Sequence, residues 1–124
     1  MRMQTSPSAS PAGENLHFDS TDLVATEEFL VRAYTKLTIS AGEDERPAAR
    51  IDRRWLGPVS FDDVQFDFRV SYDATPLGRV CLCRVHTGHI EENFVGMGQD
   101  VFTPGDVTLL SQPDLPYSGR VCES

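Results

Sequence analysis

The sequence lacks the long apolar runs and the excess of positive charge that characterise membrane proteins and nucleic-acid-binding proteins. No run among the 124 residues approaches the roughly twenty apolar residues that a membrane helix needs. The stretch from Met1 to Phe18 is polar and rich in Ser and Pro, so it does not resemble a signal peptide. Acidic residues outnumber basic ones by 19 to 11, and the resulting charge of −8 repels phosphate backbones. We therefore expect a cytoplasmic protein that does not contact nucleic acid or membrane directly.

Cysteine is scarce, and its spacing favours buried thiols over a metal site. Three cysteines, an odd number, fit a reducing compartment better than a disulfide framework. On a strand, Cys81 and Cys83 share one face, whereas His86 lies on the other face and His89 follows a turn. Zinc binding and redox chemistry remain as alternatives to the structural reading. We expect no metal and no cofactor.

Motifs for covalent catalysis are also missing. The sequence has no G-x-S-x-G and no glycine loop of the kind that binds phosphate. The acidic pairs Asp62-Asp63 and Glu91-Glu92 consist of sequence neighbours, which point to opposite faces of a strand. We expect these pairs to be solvated and the protein not to be an enzyme. A loose basic cluster is likewise expected to be a solvated segment: Arg46, Arg50, Arg53 and Arg54.

The chain divides into a lead-in and one folded domain. Residues 1–17 are rich in Ser, Pro and Gly and show no periodicity, which predicts a disordered segment. Residues 18–124 carry the apolar patterns of a domain. Its first element is a helix that begins after Ser20, where S-T-D offers N-cap side chains, and ends near Tyr34.

After a polar loop, the remaining patterns predict strands. Ile51 to Leu56 is followed by a Gly-Pro turn, and apolar residues then alternate with polar ones from Val64 to Asp73. Val80 to His86 is apolar on both faces, which predicts a strand that is covered twice, and a Thr87-Gly88 hairpin leads into His89 to Phe94. On that last strand Ile90, Glu92 and Phe94 share a face. The predicted fold is mainly β, a cupin-like or jelly-roll antiparallel β-barrel with one N-terminal α-helix.

A turn, a short apolar strand and a second turn follow between Phe102 and Tyr117. Pro104 fixes φ and Gly105 can adopt a positive φ, so Pro-Gly-Asp predicts a tight corner before Val107. This order of features resembles a strand pair of cupin-type barrels.

Several blocks in order resemble the N-terminal sensor domain of AraC-type bacterial transcription regulators. They are F-D-S-T-D-L with E-E-F-L-V-R-A-Y, L-G-P-V-S-F-D, S-Y-D-A-T-P-L-G-R-V-C-L-C-R-V-H-T-G, and P-G-D-V-T-L-L-S-Q-P-D-L-P-Y-S-G. The resemblance runs from about Phe18 to Val121. It implies a cupin-like domain that binds a small effector or mediates dimerisation, and that in a complete regulator precedes a pair of helix-turn-helix units.

The sequence ends at Ser124, where that family continues with further strands and the DNA-binding domain. We therefore expect a truncated, incomplete barrel whose open edges favour a homodimer or a hetero-pair with a full-length relative.

The leading hypothesis is a ligand-sensing domain with a pocket lined by aromatic and apolar side chains on alternating strand positions. Arg84 and His86, which share a strand face, are candidates for a polar anchor if that face is inward, and a position on the surface is the equal alternative. Filling of the core is the alternative role for the apolar residues. The second hypothesis is an interaction module that acts only by pairing. The third is a metal-dependent cupin enzyme, which the spacing of His86 and His89 and the absence of a later histidine disfavour. The apolar lining residues are Phe66, Phe68, Tyr72, Leu82 and Phe102.

Overall fold

A computed structural model describes residues 2–6, 15–77, 80–96, 98–109 and 115–122. It contains eleven strands and one helix within these ranges. The elements in chain order are β1 (Arg2–Ser6), β2 (Leu16–Ser20), α1 (Leu23–Ala33), β3 (Leu37–Ala41), β4 (Ala49–Leu56), β5 (Val59–Phe66), β6 (Val70–Ala74), β7 (Val80–Arg84), β8 (His89–Phe94), β9 (Gly98–Phe102), β10 (Val107–Leu109) and β11 (Tyr117–Cys122).

The strands form two antiparallel sheets. The first has the order β10-β7-β1-β5-β4-β2 and the second has the order β3-β6-β11-β8-β9. Side chains from both sheets and from α1 form one apolar core. This arrangement confirms the prediction of a mainly β, jelly-roll-like antiparallel fold with one helix. Within the described residues, however, the two sheets remain separate and do not close into a barrel.

The chain passes from one sheet to the other where a single strand was predicted. Buried residues alternate with exposed ones from Ser60 to Val70 without interruption, yet β5 ends at Phe66 and β6 begins at Val70. The backbone NH of Asp67, between the two strands, donates to the carbonyl of Ala48 at 2.9 Å. Alternation of apolar and polar residues thus indicates that every second side chain faces the core. It does not indicate which sheet the strand joins.

The predicted β7–β8 hairpin is also wrong, because these strands belong to different sheets. β7 pairs with β1 and β10, whereas β8 pairs with β9 and β11. Between them the chain turns at Gly88, whose φ is +68°. β7 is covered on one face: Cys81 and Cys83 are buried, whereas Val80 and Leu82 are exposed.

Part of the predicted disordered lead-in is a strand. Residues 2–6 form β1, which lies between β5 and β7 in the first sheet, and β2 already begins at Leu16. Residues 7–14 of that lead-in lie outside the described residues. A polar strand can be held by backbone hydrogen bonds to two neighbours, and such pairing leaves little periodic signal in the sequence.

The helix matches its prediction closely. The side chain of Asp22 accepts a hydrogen bond from the backbone NH of Val24 at 3.0 Å, which caps the first turn. The hydroxyl of buried Thr26 donates to the Asp22 carbonyl at 2.8 Å. At the other end Tyr34 closes the helix by donating its backbone NH to the carbonyl of Leu30. Leu30 and Tyr34 both face the core.

The predicted Pro-Gly-Asp corner is confirmed. Gly105 has a φ of +95°, and the Asp106 carboxylate accepts the backbone NH of Thr103 at 2.8 Å. The corner is tied to the end of β7, since the Gly105 NH donates to the Val85 carbonyl at 2.9 Å. Leu110, expected to extend the following strand, lies outside the described residues.

The described part of the chain contains no helix that is long and apolar enough to cross a bilayer, since α1 has only 11 residues.

A buried ion pair fixes α1 to the first sheet. Arg53 on β4 and Asp62 on β5 are register partners, and Nε and Nη2 of the arginine donate to the two carboxylate oxygens at 2.8 Å each. The hydroxyl of Tyr34 donates to Asp62 Oδ2 at 2.6 Å, and Arg53 Nη2 reaches the carbonyl of Ala33 at 3.4 Å. The end of the helix is thus held by the same carboxylate and guanidinium. Both residues had been expected to be solvated, and this expectation is wrong.

Burial of this network changes the titration of its members. Desolvation, followed by the charge of Asp62, raises the pKa of Tyr34 well above its usual value. The hydrogen bonds to Asp62 raise the pKa of Arg53. The tyrosine therefore remains a neutral donor and the arginine remains charged at any physiological pH.

Replacement of Arg53 by Ala should be far more harmful than replacement of Arg50, a residue of the same strand. Arg53→Ala leaves the buried Asp62 carboxylate without its cation, and we expect the free energy of unfolding to fall by about 3–5 kcal/mol. Arg50 pairs with Asp19 across 3.8 Å and both side chains are more than half exposed, so Arg50→Ala should cost less than about 1 kcal/mol. Urea denaturation of both variants measures the difference.

Equal losses in the two variants would contradict a structural role for the buried pair. Should Arg53→Ala not fold, Tyr34→Phe tests the same network more gently. That variant removes one hydrogen bond to a charged group, which corresponds to a loss of about 1.5–3 kcal/mol.

Candidate functional site

A cavity of about 90 Å³ lies in the apolar core between the two sheets, beside α1. Its lining comes from both sheets and from the inward face of the helix. The lining residues that the structure describes are Leu30, Tyr34, Leu37, Ile39, Val64, Phe66, Val70, Tyr72, Ala74, Leu77, Cys81, Ile90, Glu92, Tyr117 and Val121. One of them, Glu92, carries an acidic side chain, and none is Lys, Arg or His.

Glu92 is the feature of this cavity that apolar packing does not explain. The residue is 1% exposed, and its Oε1 accepts a hydrogen bond from the hydroxyl of Tyr72 at 2.9 Å. Its second carboxylate oxygen, Oε2, has no hydrogen-bond partner among the described residues. Buried polar atoms in folded proteins are almost always paired, so an unpaired carboxylate oxygen calls for an explanation.

Gly119 permits the contact between Tyr72 and Glu92. In the second sheet β11 lies between β6 and β8, and Gly119 is the register partner of Tyr72 on one side and of Glu92 on the other. A Cβ atom at position 119 would lie 2.6 Å from the Tyr72 hydroxyl oxygen and 2.8 Å from its Cζ. The tyrosine side chain therefore crosses over the middle strand at the one position where that strand has no side chain.

Aromatic rings form one wall around the carboxylate. The rings of Tyr72 and Tyr117 meet edge to face with centroids 5.9 Å apart, and Tyr117 and Phe94 are 5.2 Å apart. Contacts of this geometry stabilise aromatic pairs beyond the area they bury. They hold Tyr72 in position to donate to Glu92.

The surroundings of Glu92 bring its titration close to neutral pH. Burial raises its pKa to about 7, against a lowering effect of the Tyr72 hydrogen bond, and the negative charge of Asp100 raises it further. Burial and the charge of Glu92 raise the pKa values of Tyr72, Tyr117 and Cys83, the last to about 12. The cavity therefore presents neutral tyrosine hydroxyl groups and one carboxyl group that changes charge near pH 7.

The structure brings part of the predicted pocket together. Phe66 and Tyr72 line the cavity. Phe68 is buried beside it, with its ring edge-on to Phe66 at 6.0 Å, and Phe102 packs half-buried against the core.

Three predicted pocket residues lie on the outer surface instead. Leu82, Arg84 and His86 are exposed, and Leu82 has 39% of its surface accessible to solvent. Along β7 and the residues after it, Cys81, Cys83 and Val85 point into the core, so the residues between them must point outwards. Of the two positions expected for Arg84 and His86, the structure shows the surface one, so neither side chain reaches the cavity.

Sequence analysis missed Glu92 and Gly119 as site residues. Glu92 was correctly placed on one face with Ile90 and Phe94, and an acidic residue on an otherwise apolar face was a usable signal. The neighbouring Glu91 hides this signal, because adjacent charged residues are usually solvated. Gly119 gave no signal, since its role depends on the register of three strands.

The cysteine and histidine cluster is not assembled into a metal site. Within the described ranges no group of three or more His, Cys, Asp or Glu side chains is close enough to hold a metal ion. Cys81 and Cys83 are buried on the inner face, and His86 is exposed on the outer one. His89 lies on β8, with Nε2 3.8 Å from Oε1 of Glu91.

Gly119→Ala should break the contact between Tyr72 and Glu92. The added methyl group would also lie 2.3 Å from the Glu91 carbonyl oxygen, so backbone as well as side chain must shift. We expect a loss of about 1–3 kcal/mol in the free energy of unfolding, as is typical when an added group strains a packed interior. Gly42→Ala is the matched control, because a Cβ there meets Glu45 Cγ at 3.4 Å. A melt of Gly119→Ala that matches the control would contradict the crossing geometry.

Glu92→Gln should change how stability depends on pH. The folded state holds the Glu92 proton up to a pKa of about 7, whereas the unfolded chain releases it near the ordinary pKa of 4.5. Between these values the folded state binds more protons, so this group makes the protein less stable as pH rises. We expect Glu92→Gln to gain roughly 3 kcal/mol relative to the wild type between pH 4.5 and pH 8.

Urea denaturation at several pH values measures this gain. Glu91→Gln is the control, since Glu91 is on the same strand, is partly exposed and pairs with Arg120 at 3.5 Å. A difference between wild type and Glu92→Gln that stays constant from pH 4.5 to pH 8 would show that Glu92 does not titrate in this range.

Comparison of the chain with known proteins identifies no relative. Neither the family models, nor the curated proteins, nor the solved structures include a significant match to the chain. The function is therefore inferred from the residues and their arrangement.

Proposed function

We propose that this chain is a non-enzymatic ligand-sensing domain that binds a small molecule in the cavity between its sheets. The unpaired oxygen of Glu92 in that cavity carries the proposal. The AraC-type resemblance and the jelly-roll-like fold support it, since sensor domains of those regulators are cupin-like. On this proposal the protein is cytoplasmic, does not contact DNA itself, and acts through pairing with a second copy or with a full-length relative.

The energetic argument starts from the cost of the unpaired group. A buried acceptor without a partner costs about 1–3 kcal/mol, and more when it is charged. Buried polar groups that contribute nothing to stability persist where they serve binding or catalysis. A ligand that donates to Oε2 recovers this free energy on binding.

The size and lining of the cavity restrict the ligand. Pockets for drug-sized molecules measure about 300–1,000 Å³, whereas this cavity measures about 90 Å³. The ligand is thus much smaller than a typical cofactor. Because the walls of the cavity are almost entirely apolar, most of the ligand surface must be apolar as well.

Occupancy of the cavity can be transmitted to the surface through α1. Leu30 and Tyr34 line the cavity from the helix, and Val24 and Val31 are exposed on its flank. Ligand binding that shifts or stiffens the helix would therefore alter a surface available for pairing. Such coupling requires that the protein binds the ligand with different affinities in two positions of the helix.

A second candidate function, pairing without a ligand, is favoured by an apolar patch on the outer face of the first sheet. The patch consists of Val80, Leu82, Val107 and Leu109. Leu82 and Leu109 are register partners, and β10 is an edge strand of only three residues. Edge strands with exposed apolar residues favour association with another chain.

A thermal melt of residues 1–124 with a chemically mixed set of small fragments tests ligand sensing. A ligand that binds only the folded state raises the melting temperature in a saturable way. Ala74→Leu is the matched variant, because Ala74 lines the cavity and the larger side chain fills it. We expect fragments to stabilise the wild type and not Ala74→Leu.

Light scattering on the same samples tests the second candidate. If no fragment stabilises the wild type, ligand sensing is wrong. If that protein nevertheless forms a dimer that Leu82→Ser or Leu109→Ser dissociates, pairing alone is the better account.

A further inference from the structure

We infer that the cavity binds a small organic amine, with its ammonium group on Glu92 Oε2 and its apolar body among the aliphatic and aromatic walls. This inference rests on the proposed ligand-sensing function and names the chemical class of that ligand.

Charge balance in the core provides the first argument. Glu92 carries the one ionisable carboxylate among the described residues that line the cavity, and no described lining residue is basic. Its register partner on β9 is Asp100, a second acidic residue. Arg53, the one basic residue that is buried among the described residues, already makes two hydrogen bonds to Asp62. An ionised Glu92 therefore needs a positive charge that these residues do not supply, and burial of an unpaired charge is costly.

Other ligand classes fit this cavity less well. A carboxylate or phosphate would be repelled by Glu92 and Asp100. A neutral alcohol would donate one hydrogen bond and leave the charge uncompensated. A divalent metal ion needs several oxygen ligands, and Glu92 is the single carboxylate that the described lining offers. An ammonium group supplies both the donor and the charge.

The arrangement around Oε2 also suits an ammonium group. Tyr72 donates to Oε1 and so leaves Oε2 as the acceptor, while its own hydroxyl oxygen retains capacity to accept a second N–H. The rings of Tyr72 and Tyr117 border the same cavity. Aromatic faces attract cations, and this attraction is stronger when the cation has lost its water.

The volume of the cavity limits the length of the amine. A cavity of about 10–15 Å³ holds one water molecule, so a cavity of about 90 Å³ has room for about six groups of that size. An amine with three or four carbon atoms fills this space. A diamine would bring a second ammonium group into a cavity whose described lining offers no second carboxylate.

The test compares three probes of one shape: isobutylamine hydrochloride, isobutanol and sodium isobutyrate. Each is titrated into residues 1–124 at about pH 8, where Glu92 is mostly ionised, with sodium chloride holding the ionic strength constant. The melting temperature and the methyl NMR shifts of cavity residues report binding. We expect saturable binding of the amine, at least tenfold weaker binding of the alcohol, and none of the carboxylate.

Two variants and one control assign the binding to Glu92. Glu92→Gln should weaken the amine at least tenfold and leave the alcohol unchanged. Ala74→Leu should abolish binding of every probe while Glu92 is intact, which covers the case in which Glu92→Gln does not fold. Glu91→Gln, on the outer side of the same strand, should bind the amine as the wild type does.

The outcomes distinguish failure of the amine assignment from failure of the proposed ligand-sensing function. Equal binding of alcohol and amine, or retention of amine binding by Glu92→Gln, would overturn the amine assignment while a ligand-binding cavity stands. If none of the three probes binds while the mixed fragments do, the amine assignment alone fails. If the mixed fragments also fail to bind, the proposed function fails with it.

Discussion

The contact on which the rest of this structure depends is the buried pair of Arg53 and Asp62. It joins two neighbouring strands at one register position, and through Tyr34 and the Ala33 carbonyl it fixes the end of the helix. Tyr34 also lines the cavity, so the wall that the helix contributes is positioned by this ion pair. A bidentate arginine with both carboxylate oxygens engaged is the geometry in which a buried pair can be tolerated.

The two deeply buried carboxylates among the described residues contrast in their surroundings. Asp62 receives two hydrogen bonds from a guanidinium and a third from a tyrosine. Glu92 receives one from Tyr72, and its second oxygen has no partner among the described residues. Since the fold evidently can satisfy a buried acid completely, the incomplete satisfaction of the other one is informative. We assign a structural role to the first and a ligand-binding role to the second.

Local sequence signals predicted the helix, the Pro-Gly-Asp corner and the class of fold, because each depends on neighbours within a few residues. The N-cap at Asp22 and the corner at Gly105 are examples. Sheet membership could not be predicted, since the alternation from Ser60 to Val70 continues unchanged while the chain leaves one sheet for the other. The outward orientation of Leu82 likewise depends on which face of β7 meets the core. Apolar residues occupy both faces of that strand, so composition gives no answer.

On the proposed function, stability and ligand binding are linked through Glu92. Whatever free energy the unpaired carboxylate costs the empty protein is recovered when a cationic ligand pairs with it, so the cost sets part of the affinity. A side chain at position 92 that removes the cost stabilises the empty domain and weakens the ligand by the same interaction. Binding sites commonly show this opposition between stability and function. Gly119 belongs to the same balance, because it holds the Tyr72 hydroxyl on Oε1 and so directs the ligand to Oε2.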